Sequence, residues 1–296
     1  MGGGGLAAVP AAETVAVVGA MTRVLQGAPL AGALEAIAAA GLREVGLLGR
    51  HEGRQAVPED ADDPEVRAVG RMVQGCGLRA VLLWCGALTP ERERGWLRRL
   101  EQAELLGLRW ALGAGPGPKA PVPSEAFLRC LGRLADQAGR RGVRLALKPH
   151  GGAAGTGPAL AETVRVLGAA NVDVFYDPGN VRFYEGLDPC RDVVPVAPWV
   201  AGVCVKDHRG ARGEACFPTP GDGEVGWVGC LQPLRAAGFA GPLLVECCAA
   251  GDGDGVTAEL RVVRRRLQEW WRLARPSGQG PGQLGPAGGG GAGAAG

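Results

Sequence analysis

Lysine and histidine are scarce in this chain of 296 residues: there are three of each, and arginine supplies nearly all the remaining positive charge. The nine cysteines contain no CxxC pair, which removes the spacing expected of a zinc ribbon or a thioredoxin-type redox centre. Several of them fall inside apolar patterns, where a free cysteine acts as a small core residue, so they read as reduced thiols of a cytoplasmic protein. No apolar run approaches the roughly 18 residues of a membrane-spanning helix. The first 18 residues lack a basic lead-in and are interrupted by Pro10 and Glu13, a poor secretory signal. There is also no surplus of one charge sign. The formal net charge of +2 argues against a nucleic-acid surface and leaves a small molecule as the expected partner, with no nucleic acid and no membrane. The sequence leaves a homo-oligomer open.

The scarce residues are not scattered. Lys148-Pro149-His150 closes the apolar run Val143–Leu147, and Lys206-Asp207-His208 closes the run Val200–Val205. His51 follows Val45–Leu48, and Lys119 lies in the loop after Trp110–Leu112. Lysine and histidine are the cations whose protonation can be tuned near neutrality, whereas arginine stays charged. Their position at the ends of strand-like segments is where a rigid scaffold carries functional loops.

Eight short β-like runs occur: Thr14–Val18, Glu44–Leu48, Arg79–Leu83, Arg109–Leu112, Val143–Leu147, Val172–Tyr176, Val200–Val205 and Pro242–Glu246. Longer stretches with apolar residues at three- and four-residue spacing lie between them, for example Leu30–Ala40, Asp63–Gln74, Pro90–Leu106, Ser124–Gly139, Ala159–Leu167, Val228–Ala237 and Val256–Leu273. Glycines 41, 77, 107, 142 and 238 stand where these helices should end, ready for a left-handed turn. Strand–helix alternation repeated eight times predicts an α/β fold, a single-domain (β/α)8 TIM barrel over residues 12–275. An open doubly wound sheet is the rival, but Gly19-Ala-Met-Thr22 is not its phosphate loop. Residues 1–11 and the Gly/Ala/Pro-rich tail 276–296 are too poor in apolar side chains to pack and are expected to be disordered.

A barrel places its site at the C-terminal strand ends. Those ends carry His51, Glu52 and Arg54 after the second strand, Lys148 and His150 after the fifth, Asp177 and Asn180 after the sixth, Lys206, Asp207, His208 and Arg209 after the seventh, and Glu246 after the eighth. Carboxylates, imidazoles and amines around one mouth suit proton transfer or the holding of an oxygen-rich ligand. His51, His150, Asn180, Lys206 and Arg209 are the candidates for substrate binding. Asp177 also suits a turn cap, since Asp-Pro-Gly is a turn sequence. His150 precedes Gly151-Gly152, which would let a ligand approach the backbone. The segment Pro218–Trp227 reads either as a mobile lid whose amides bind a polyol or as an ordinary turn.

Asp177-Pro-Gly-Asn180, Val203-Cys-Val-Lys-Asp207, Gly221-Asp-Gly-Glu-Val-Gly-Trp227 and Gly238-Phe-Ala-Gly-Pro-Leu-Leu-Val-Glu246 occur in that order. Together they resemble the sugar phosphate isomerase/epimerase family with a xylose isomerase-like TIM barrel. The resemblance implies an enzyme of carbohydrate metabolism that moves a proton beside a carbonyl of a small sugar or polyol-derived substrate. It also implies one divalent cation, Mn²⁺, Mg²⁺ or Zn²⁺, held by Glu, Asp, His and Glu at the ends of strands five to eight. Asp177 and Glu246 match, but Lys148 stands where the first Glu is expected and Cys204 where the His is expected. An ammonium repels a cation, and sulfur is a soft ligand for a hard ion.

Three arrangements follow for catalytic Glu246 and Lys148. Lys148 replaces the metal by pairing with Asp177 and Glu246; or His150 and His208 join Asp177 and Glu246 in a shifted metal site; or Lys148, its pKa lowered by Lys206, is a Schiff-base amine. A catalytically silent barrel that binds a sugar-like ligand is the alternative function. A related DNA-repair endonuclease would need more histidines than the chain has.

Overall fold

The structure, a computed structural model, describes residues 17–117 and 124–275. Lys119 and both low-complexity ends lie outside these residues. Eight parallel strands close a barrel: β1 (Val18–Met21), β2 (Glu44–Leu47), β3 (Arg79–Ala87), β4 (Trp110–Ala114), β5 (Arg144–Lys148), β6 (Val172–Tyr176), β7 (Val200–Val205) and β8 (Leu243–Val245). Neighbours follow chain order, and β1 pairs with β8 to complete the ring. The outer layer is built from α1 (Leu30–Ala39), α2 (Asp63–Gly75), α3 (Glu93–Leu105), α4 (Glu125–Arg140), α5 (Gly157–Leu167), α6 (Trp227–Ala236) and α7 (Gly253–Leu273). Among the described residues no helix is long and apolar enough to cross a membrane.

Local chemistry sets the boundaries. Asp62 starts α2 with a reciprocal capping box to Glu65, and Ser124, Thr156 and Asp252 accept from backbone amides at the starts of α4, α5 and α7. The five glycines expected at helix ends all adopt φ between +64° and +79°. Three expectations need correction. The first strand runs Val18–Met21, further along the chain than the expected Thr14–Val18, of which residues 14–16 lie outside the described residues. A two-stranded ribbon, Arg50–His51 with Arg54–Gln55, follows β2 and was not foreseen. The sixth strand is followed by short turns of helix between Pro178 and Trp199, where Pro189, Pro195 and Pro198 prevent a long one.

Side chains alternate along each strand, so every second residue faces the barrel interior. Ala146, Phe175, Cys204 and Leu244 fill that interior with Met21 of β1, Leu82 of β3 and Leu112 of β4. Their neighbours Leu145 and Leu147, Val174 and Tyr176, Val203 and Val205, and Leu243 and Val245 belong instead to the large core beneath the helices. All nine cysteines are free thiols, five of them buried.

Candidate active site

The alternation dictates what reaches the mouth. Two residues beyond Ala146, Phe175, Cys204 and Leu244 stand Lys148, Asp177, Lys206 and Glu246, so each strand that contributes an apolar residue to the interior contributes a charged one above it. All four are buried. The same parity places Arg23 two residues beyond Met21.

Lys148 is the hub. Its Nζ lies 2.5 Å from Glu246 Oε2 and 2.9 Å from Asp177 Oδ2. The contact with Glu246 is a hydrogen bond, whereas Asp177 Oδ2 is an ion-pair partner without hydrogen-bond alignment. Asp177 has two tasks, because its Oδ1 caps the turn by accepting from the Asn180 amide at 2.9 Å. Asn180 ties strand ends together: its Nδ2 donates to the Pro149 carbonyl at 2.8 Å and its Oδ1 accepts from Lys206 Nζ at 2.9 Å. Lys206 also stands 3.6 Å from Glu246 Oε1, and Arg23 Nη1 stands 3.8 Å from the same oxygen.

Electrostatics follow from this packing. Burial alone would raise the Glu246 carboxyl, but Lys148, Lys206 and Arg23 outweigh it and hold the group well below the usual carboxylate range. Burial and the neighbouring Glu246 charge raise Asp177 despite Lys148 and Lys206. Burial also works against the Lys148 ammonium, but the Asp177 and Glu246 carboxylates prevail and raise it well above its ordinary value. Burial and the cations Lys148 and Lys206 lower His150 to about 4. Lys148 and His150 are therefore driven away from neutrality in opposite directions. The raised Lys148 also overturns the expectation of an amine poised for Schiff-base chemistry: two carboxylates act on it more strongly than Lys206 does.

The remaining predicted residues divide. His150 sits at the mouth, with Nε2 3.2 Å from the Tyr184 hydroxyl and its ring beside Tyr184 and Trp84. Gly152 after it serves packing, since a Cβ there would meet the Gly117 carbonyl oxygen at 2.2 Å. His208 is not brought together with Asp177 and Glu246: its Nε2 contacts the Glu214 carbonyl at 2.7 Å and its ring packs against Phe183 and Phe217. His51 is buried against the Ala28 carbonyl in the ribbon. Arg209 is spent on the carbonyl of Asp222.

Asp207, expected only as one more polar group, organises the supposed lid. It accepts from the amides of His208, Gly221 and Val225 and from Trp227 Nε1, at 2.8–3.0 Å. A Cβ on Gly223 would lie 2.2 Å from its Oδ1, so only glycine fits there. The segment Pro218–Trp227 is thus tied down, contrary to the mobile reading.

Sequence reasoning missed Arg23, Trp84, Tyr184 and Phe217. Arg23 was hidden by the misplaced first strand; following the apolar run to Met21 would have exposed it. The three aromatics arrive through loop packing and carry no local signal.

Among the described residues one set of three metal-ligand types comes together, Asp177, Cys204 and Glu246, with ligand atoms within 4.8 Å of one another. It does not suit a resident divalent cation. The Lys148 ammonium already holds both carboxylates, and burial keeps the Cys204 thiol protonated by raising it well above its ordinary value.

The family model described as xylose isomerase-like TIM barrel matches residues 34–267. No curated protein matches the sequence. Among solved structures, a xylose isomerase domain protein from Alicyclobacillus acidocaldarius is 24% identical with a TM-score of 0.63, covering 86% of this chain and 97% of that one. An L-ribulose 3-epimerase is 16% identical with a TM-score of 0.69, covering 88% and 95%. A xylose isomerase-like TIM barrel protein from Mycobacterium smegmatis in complex with magnesium is 14% identical with a TM-score of 0.66, covering 86% and 98%. These likenesses extend the shared fold over nearly the whole of each partner, and the matched span takes in every strand from the second to the eighth: the chain belongs to the xylose isomerase-like TIM-barrel family.

Proposed function

We propose that the protein is a sugar isomerase or epimerase that moves a proton beside the carbonyl of a small polyhydroxy substrate, with Lys148 taking the place of a divalent cation. The observation that carries this reading is the Lys148 ammonium set between Asp177 and Glu246, at 2.9 and 2.5 Å, among the side chains that resemble a ligand set. The family membership and the epimerase among the structural neighbours support the reaction class.

In this reading Glu246 is the base. Its carboxyl is ionised at neutral pH because Lys148, Lys206 and Arg23 surround it. A substrate carbonyl oxygen that takes hydrogen bonds from Lys148 draws that ammonium toward itself, and the charge developing on the oxygen is stabilised there. As Lys148 shifts toward that oxygen, the proton affinity of Glu246 rises and favours abstraction; as the ammonium shifts back, that affinity falls and the proton is returned to the neighbouring carbon. Asn180 and Asp177 hold the two lysines in place.

Glu246→Gln keeps the shape and removes the basic oxygen. It should lower turnover by at least about 10²-fold, as loss of a general base does. Wash-in of solvent deuterium next to the carbonyl of candidate ketoses measures this directly; a variant that keeps more than about a tenth of the rate excludes Glu246. Lys148→Glu should create Mn²⁺ affinity on calorimetry, and no gain in binding would remove the metal-replacement role. The depressed Glu246 carboxyl also favours a second reading, sugar binding without turnover. Ligand binding without deuterium exchange in the wild type would establish that one instead.

A further inference from the structure

The charges of the mouth do not balance. Lys148, Lys206 and Arg23 face Asp177 and Glu246, three cations against two carboxylates, and no third carboxylate pairs with these cations among the described residues. Lys148 alone engages both carboxylates closely. Lys206 and Arg23 stand beyond hydrogen-bond range of Glu246 Oε1, at 3.6 and 3.8 Å. Arg23 donates to Cys247 Sγ at 2.7 Å, a weak acceptor for a guanidinium that has five donors. Lys206 spends one donor on Asn180, and its ammonium lies 4.3 Å from the centre of the Phe217 ring. Beside Arg23 and Phe217 opens a cavity of about 300 Å³, lined also by Gln26, Cys247, Cys248 and Gly251. The Arg23 side chain is 28% exposed, so it reaches both the cavity and the buried centre.

We propose that this cavity is the subsite for a carboxylate carried by the substrate, gripped by Arg23 with Lys206 behind it, so that the protein takes sugar acids in preference to neutral sugars. The proposal rests on the mouth being a sugar site, as argued above. A surplus positive charge in a buried centre is costly until an anion joins it. One carboxylate cancels the surplus, whereas a phosphate monoester, with about two negative charges, overshoots it. The planar fork of a guanidinium matches the two oxygens of a carboxylate, a geometry an ammonium lacks. Arg23 is the most distant of the three cations from Glu246, at 3.8 Å against 2.5 Å for Lys148 and 3.6 Å for Lys206, and so has the most freedom to turn to a second anion.

Calorimetry with D-glucose, D-glucuronate and D-glucose 6-phosphate tests this, since the three differ only in the group at carbon six. Glucuronate should bind at least about tenfold more tightly than glucose, a difference of about 1.4 kcal/mol. Arg23→Gln should reduce the glucuronate-to-glucose ratio to about twofold or less, and Arg23→Lys, which keeps the charge but not the fork, should fall between. Equal affinity for glucose and glucuronate in the wild type overturns the proposal and leaves the sugar reading standing. An undiminished ratio in Arg23→Gln, or tighter binding of glucose 6-phosphate, also overturns it. If none of the three binds, the sugar reading itself fails and the carboxylate subsite with it.

Discussion

Lys148 has two carboxylate partners and no exposure to water that would compensate them if it were lost. Removing one member of a buried ion cluster strands the others, at a typical cost of 3–5 kcal/mol. Lys148→Met should therefore lower unfolding free energy by about that much in a denaturant titration, and a loss below about 1 kcal/mol would mean that the pair is solvated. His150 gives a pH signature. Its folded-state pKa is lowered from 6.5 to about 4, so the unfolded chain binds the proton more readily. Stability should decline as pH falls from about 6.5 toward about 4, and His150→Gln should flatten that part of the profile. At this scale the sequence was informative wherever a residue ended a strand: Lys148, Asp177, Lys206 and Glu246 could be placed in the mouth from strand pattern alone. Histidines were less legible. His51, His150 and His208 occupy similar positions along the chain, yet only His150 faces the buried cations, and what separates them is aromatic and carbonyl packing from distant loops.

Among elements, the segment from Asp207 to Trp227 differs most from its sequence reading. Gly221, Gly223 and Gly226 argued for freedom, but the preceding carboxylate uses the absence of side chains to collect donors. Further ties come from outside: Arg266 to Asp222 at 2.8 Å, Arg182 to Glu224, and Trp227 stacked on Trp270 of α7. Asp207→Ala leaves three amides and an indole N–H without their acceptor. It should cost on the order of 3 kcal/mol and open a protease-sensitive site within 219–226. Unchanged proteolysis would show that the outer ties suffice. A glycine-rich run can be read from sequence as a turn; which carboxylate fixes it depends on a register set by β7 and is not readable locally.

For the molecule as a whole, barrel closure and strand parity were the legible part, because eight apolar runs of the right length leave few alternatives. The error in β1 shows the limit: a displacement of a few residues at one strand removed Arg23 from view without harming the fold prediction. Closure also has a thermodynamic correlate. A ligand that binds only the folded state raises its stability in proportion to occupancy. The proposed replacement of a cation by Lys148 predicts that millimolar EDTA or Mn²⁺ shifts the melting temperature by no more than about 1 °C in the wild type, and a larger rise with Mn²⁺ would overturn it. Lys148→Glu should acquire the sensitivity that the wild type lacks.

The Asp207-centred loop has one more consequence, for the entropy of binding. A segment that must fold over its ligand gives up conformational freedom at that moment, and affinity falls accordingly. Here the ordering is complete before any ligand arrives, since the acceptor that fixes the loop belongs to the protein. Amides of Gly221 and Val225 should already be protected from hydrogen exchange in the ligand-free protein, and ligand should add little to that protection. Rapid exchange at these two amides that slows only on binding would show instead that the ligand bears the cost of closing the loop.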